Sequence, residues 1–123
     1  MSELSMGASG RGSGCPVFDP VSASEAMGLT PEEFALLLPK ASKEIKSRLG
    51  GIRQGLERGD LKALALNSHT LKSVAASLGA EETRNLARLL ELCARGGDLK
   101  GCAGQLELLE REAAELLAEL DRA

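Results

Sequence analysis

The sequence predicts an all-α fold: an up-down-up-down four-helix bundle with a short extra N-terminal helix. Leu and Ala number 23 and 17, so strong helix formers supply 40 of the 53 hydrophobic residues. Val, Ile and Thr together number only eight, too few to furnish a sheet. Apolar positions also recur by threes and fours through four long segments, most of them closed by Gly. With two Phe and no Trp or Tyr, the core has to be Leu and Ala between closely approaching helices. A chain of 123 residues is one small domain, burying roughly 60–70% of its unfolded surface.

In residues 1–16, eight positions are Gly or Ser without periodicity, which predicts a disordered tail followed by a bundle over 17–123. Asp19 is placed to cap a short helix that runs to about Met27 and ends at Gly28. Thr30-Pro31-Glu32-Glu33 reads as a capping box with Pro at the first helical position. From there Phe34, Leu38, Ala41, Ile45, Leu49, Ile52 and Leu56 form one stripe that keeps phase through Pro39. That phase predicts a single kinked helix ending at Gly59.

Asp60 caps the next helix, with Leu61, Leu64, Ser68, Leu71, Ala75 and Leu78 on its buried face and a stop at Gly79. Ser68, a hydroxyl on that stripe, should bond back to a carbonyl one turn earlier. The fourth segment, about Glu81 to Arg95, presents Leu86, Leu90 and Cys93, flanked by Ala87 and Leu89. Gly96-Gly97-Asp98 is a stop and a new N-cap, and the last helix shows Leu99, Cys102, Leu106, Leu109, Ala113, Leu116 and Leu120. The short loops call for antiparallel neighbours. The interrupted heptads speak for a monomer over a coiled-coil dimer.

Several function classes drop out. A net charge of −3 gives no basic stripe for nucleic acid. The longest apolar run, Phe34 to Leu38, is far too short for a membrane span or signal core. Cys15, Cys93 and Cys102 fit no metal-ligand spacing and read as reduced thiols of a cytoplasmic protein, the last two as small core residues. Gly10-Arg11-Gly12-Ser13-Gly14 lacks the Lys of a phosphate loop. A single His leaves no two-His scheme and no metal site.

That His is nevertheless the informative residue. His69 lies roughly 130° from the centre of its helix's buried face at 100° per residue. Its helical neighbours are Ala65, Leu66, Lys72 and Ser73, with Lys62 and Ala76 a further turn away. Leu66 has no intramolecular reason to stand opposite the core, so Ala65, Leu66 and Ala76 suggest an apolar rim for docking, with Lys62 beside it. An exposed neutral imidazole is a competent nucleophile near neutral pH. Small Ser73 leaves room for a bulky electrophile, and the Lys72 ammonium can neutralise it. A phosphoryl group fits best.

His69-Thr70-Leu71-Lys72-Ser73-Val74-Ala75-Ala76-Ser77-Leu78-Gly79-Ala80 resembles the phosphorylation-site helix of histidine-containing phosphotransfer (HPt) domains. The shared pattern is Leu at +2, Lys at +3, a small residue at +4, and Leu-Gly-Ala at +9 to +11 from the His. Phe18-Asp19-Pro20, Gly59-Asp60, Leu90-Glu91 and Gly97-Asp98 extend the likeness over about residues 17 to 121. The departures are Ser73, where Gly is commonest, and Ser68, where Ala is usual; both stay small.

The Gly/Ser tail and the absence of any kinase or receiver segment suggest a free-standing carrier, and the resemblance implies a phosphocarrier without kinase activity of its own. His69 would accept a phosphoryl group from a receiver-domain aspartyl phosphate and pass it to another receiver, with Lys72 stabilising the phosphate. Partners would be receiver domains of response regulators and a hybrid sensor histidine kinase. No cofactor is expected on this chain, Mg²⁺ being expected on the partner receiver. A non-phosphorylated docking bundle of the same fold would have lost the His or the Lys, and this chain keeps both.

Overall fold

The computed structural model describes residues 17–122, so the expected tail over 1–16, with Cys15, and Ala123 lie outside the described residues. Local capping sets most helix ends. Asp19 Oδ1 accepts from the Ser22 backbone N–H at 3.1 Å and opens α1 (Pro20–Met27), which ends on left-handed Gly28. In the Thr30 capping box, Oγ1 accepts from Glu33 N–H at 3.1 Å, and Glu33 Oε1 accepts from Thr30 N–H at 2.9 Å. This box starts α2 (Pro31–Ala35).

The single kinked helix expected through Pro39 is corrected to two helices, α2 and α3 (Leu38–Arg58), separated by a turn at Leu36–Leu37. Inside a continuous helix the Pro39 ring would clash with the Ala35 carbonyl and leave it without a donor. The chain tightens instead: Leu36 N–H donates to Glu33 O and Leu37 N–H to Phe34 O. A helix then restarts with Pro39 in its first turn, where no N–H is needed.

Asp60 Oδ1 accepts from Ala63 N–H at 3.1 Å to begin α4 (Leu61–Ser77). Helix α5 (Glu81–Arg95) follows. Asp98 Oδ1 accepts from Gly101 N–H at 2.9 Å at the start of α6 (Leu99–Arg122). Each long helix packs on its predecessor and α6 closes against α3, giving the four-helix bundle; no strand occurs among the described residues. Ile45, Ile52, Leu64, Leu71, Leu90, Leu106, Leu109 and Leu116 fill its centre.

Helices α1 and α2 pack together, with Phe18 and Phe34 stacked at 6.3 Å. This segment reaches the end of α4: a Cβ at Gly79, whose φ is 70°, would meet the Asp19 carbonyl oxygen at 3.0 Å. Only glycine satisfies both the turn and that approach.

The α5 stripe also needs correction. Its buried face is Thr83, Ala87, Leu90, Glu91 and Ala94, while Leu86 and Cys93 are half-buried and Leu89 is exposed. Leu99, expected in the α6 stripe, is exposed as well. Elsewhere the stripes hold: Cys102 is buried, and Ser68 Oγ donates to Leu64 O at 2.8 Å.

Glycines let α3 and α4 approach. A Cβ at Gly55 would meet backbone atoms of Asp60 and Leu64 at 3.2 Å, whereas Gly50 has open space around it. Gly55→Ala should therefore push the helices apart and destabilise by about 1–2 kcal/mol, overpacking outweighing helix propensity. Gly50→Ala should stabilise by about 0.5–1 kcal/mol. Urea unfolding of the two variants checks the pair; equal effects would contradict backbone contact at Gly55.

Candidate functional site

Because Leu64, Ser68, Leu71 and Ala75 are buried in the core, α4 turns the next shoulder of its surface outward. His69 stands on that shoulder with its side chain 52% exposed. It is not alone there. Glu91, from the facing side of α5, is buried at 6% exposure, and its carboxylate organises the site. His69 Nδ1 lies 3.1 Å from Glu91 Oε2, and Lys72 Nζ donates to Oε1 at 3.0 Å. Arg95 donates to Oε2 through both Nε, at 3.0 Å, and Nη2, at 2.8 Å.

Burial alone would push the Glu91 carboxyl up, but the hydrogen bonds from Arg95 and Lys72 outweigh it and hold the group at about 2. Glu91 is thus a carboxylate at neutral pH and can only accept. The Nδ1 of a neutral His69 must then carry the proton and donate it, which leaves the Nε2 lone pair as the free basic position of the ring.

Sequence reasoning does not reach this role for Glu91, although Leu90-Glu91 belongs to the family likeness. A usable signal is present: a Glu beside the buried Leu90 and one turn before Arg95 occupies the boundary of the stripe, where a carboxylate needs partners. Lys72, expected to stabilise the phosphate, is half-buried and engaged with Glu91, a contact the sequence does not show.

The docking residues divide. Leu66 is 61% exposed as expected, and Ala76 and Lys62 are exposed. Ala65, expected on the rim, belongs to the core cluster at 4% exposure. The reason is that α5 packs on this flank of α4 and widens its buried arc beyond the apolar stripe. Ala65 still helps line a surface groove with Leu61, Lys62, Leu66, Ala94 and Arg95. Ser73 is exposed, its hydroxyl donating to the His69 carbonyl at 3.4 Å, so it adds no bulk over the imidazole. Among the described residues no group of three His, Cys, Asp or Glu could hold a metal ion, and no helix is long and apolar enough to cross a membrane.

The family model described as "Hpt domain" matches residues 37–123, a span that contains every residue of this site. The chain belongs to the Hpt domain family. It is thereby a histidine phosphotransfer protein of phosphorelay signalling, in a family of phosphocarriers. Its fold resembles the crystal structure of histidine-containing phosphotransfer protein B (HptB) from Pseudomonas aeruginosa PAO1, with a TM-score of 0.77 and 27% sequence identity. The likeness covers 87% of this Hpt chain and 93% of that one. No curated protein matches it.

The Glu91 carboxyl titrates lower in the folded chain than its ordinary value of 4.5, so its contribution to stability is complete above that pH and is lost as pH falls toward 2. The increment is on the order of 3 kcal/mol. The stability difference between wild type and Glu91→Gln should shrink as pH falls from about 5 to about 2.5 in urea unfolding. A difference that stays constant across this window would contradict a paired, ionised Glu91.

Proposed function

We propose that this Hpt protein is a phosphorelay carrier whose His69 Nε2 accepts a phosphoryl group from an aspartyl phosphate on a receiver domain and delivers it to the aspartate of another. The observation that supports this most is the inward Nδ1–H···Glu91 hydrogen bond on a half-exposed imidazole. In the forward step the P–Nε2 bond forms and the aspartyl O–P bond breaks. The bonding pair leaves with the receiver's carboxylate. The ring, still carrying its Nδ1 proton, becomes cationic, and the buried Glu91 carboxylate stabilises that charge. Reversal of the same step serves delivery.

Lys72 stands one turn from His69 and neutralises the phosphoryl oxygens. Phosphoryl transfer is mostly positioning and charge stabilisation, so the chain needs no ATP-binding device of its own. The partners are receiver domains of response regulators and of a hybrid sensor histidine kinase, and Mg²⁺ belongs to the receiver's side of the complex. Leu66 and Lys62, with Ala76 on the other side of His69 along α4, form part of the surface they cover.

Incubation with a phosphorylated receiver should label wild type but not His69→Gln, and the label should be lost in acid and survive alkali. Label persisting in the variant would refute the assignment. Lys72→Ala should slow transfer at least about tenfold, the value of one charge-assisted hydrogen bond. It should also cost about 1–2 kcal/mol in thermal unfolding, because Glu91 loses a partner but keeps Arg95. Leu66→Asp should weaken receiver binding by calorimetry while the melting temperature of the free protein holds. Unchanged affinity would move the interface elsewhere.

A further inference from the structure

Glu91 Oε2 carries more donors than it can serve well. Three N–H groups converge on this one oxygen, two from Arg95 and one from His69, while Oε1 has Lys72. A carboxylate offers about four acceptor sites over its two oxygens, so three donors on one of them compete. Of those three the His69 contact is the longest, at 3.1 Å against 2.8 Å and 3.0 Å from the guanidinium. Arg95 therefore holds the larger share of the charge that His69 needs when its ring becomes cationic.

Arg95 also faces outward. Its side chain is 58% exposed and lines the groove beside Lys62. The six residues lining that groove include two cations and no carboxylate, with Leu61, Ala65, Leu66 and Ala94 between them. The surface complements an apolar ridge edged by Asp or Glu; a carboxylate there gives the Arg95 guanidinium a new partner, while Glu91 stays paired through Lys72 and His69.

We propose that a carboxylate on the docking receiver draws Arg95 away from Glu91 Oε2, so that partner binding itself releases this oxygen to His69 Nδ1–H and readies Nε2 for phosphoryl transfer. Arg95 is then a positioning and partner-selecting residue that acts through Glu91. The proposal rests on the receiver-coupled reading of His69.

Two phosphodonors separate docking from chemistry. Phosphoramidate needs no docking: its P–N bond breaks as the new P–Nε2 bond forms, and ammonia leaves. A receiver domain charged with acetyl phosphate must dock. Arg95→Ala should raise the rate of phosphoramidate labelling at His69 by about threefold, because Oε2 is freed permanently. The same variant should raise the KM for the charged receiver about tenfold, and Arg95→Lys should recover most of that loss.

Slower phosphoramidate labelling in Arg95→Ala would mean that the guanidinium only braces Glu91, and would overturn the proposal. So would an unchanged receiver KM. If phosphoramidate labels wild-type His69 but no receiver charges it, the receiver reading itself falls. If the receiver charges wild type and either Arg95→Ala result fails, only the role of Arg95 falls.

Discussion

One buried carboxylate holds the functional face together. Glu91 would be costly to bury unpaired, and the structure surrounds it with donors from two helices: His69 and Lys72 on α4, Arg95 on its own helix. That requirement adds to the core in fixing the rotation of α5 against α4. A turn of either helix that kept Leu71 and Leu90 inside but moved Glu91 outward would separate the histidine from the carboxylate that orients its ring. Packing and chemistry are coupled through the same side chain.

The rest of the bundle serves that register. Gly55 lets the backbone of α3 come close to the start of α4, and Asn67 on α4 accepts from Arg48 of α3 at 2.9 Å on the flank away from the site. Helix α4 is thus braced on one side by α3 and on the other by α5. A histidine on a braced helix keeps its ring orientation without a pocket around it, and a convex surface remains open to another protein domain.

Much of this was legible in the sequence because it is local. Asp19, Thr30, Asp60 and Asp98 cap helices within three residues of themselves, and Gly28 and Gly59 end helices by their own conformation. His69 was legible because a helix's angular arithmetic needs only one stretch of sequence. The break at Leu36–Leu37 was not, since two residues of tightened turn leave the apolar stripe nearly in phase. Glu91 was not either: its partners on α4 lie 22 and 19 residues away, and periodicity shows only a polar residue beside a stripe. Ala65 failed for a related reason, its burial being set by a neighbouring helix and not by its own.

The route between those partners is short in one respect. Helices α4 and α5 are joined by Leu78, Gly79 and Ala80 alone, so His69, Lys72, Glu91 and Arg95 all belong to a single helical hairpin. Contacts of such small sequence separation form with little loop-closure entropy and favour fast folding. The functional centre can therefore assemble early along the folding route, as soon as this hairpin docks, before α6 returns to close the bundle. The chemistry is written into one of the local helix–helix contacts of the fold.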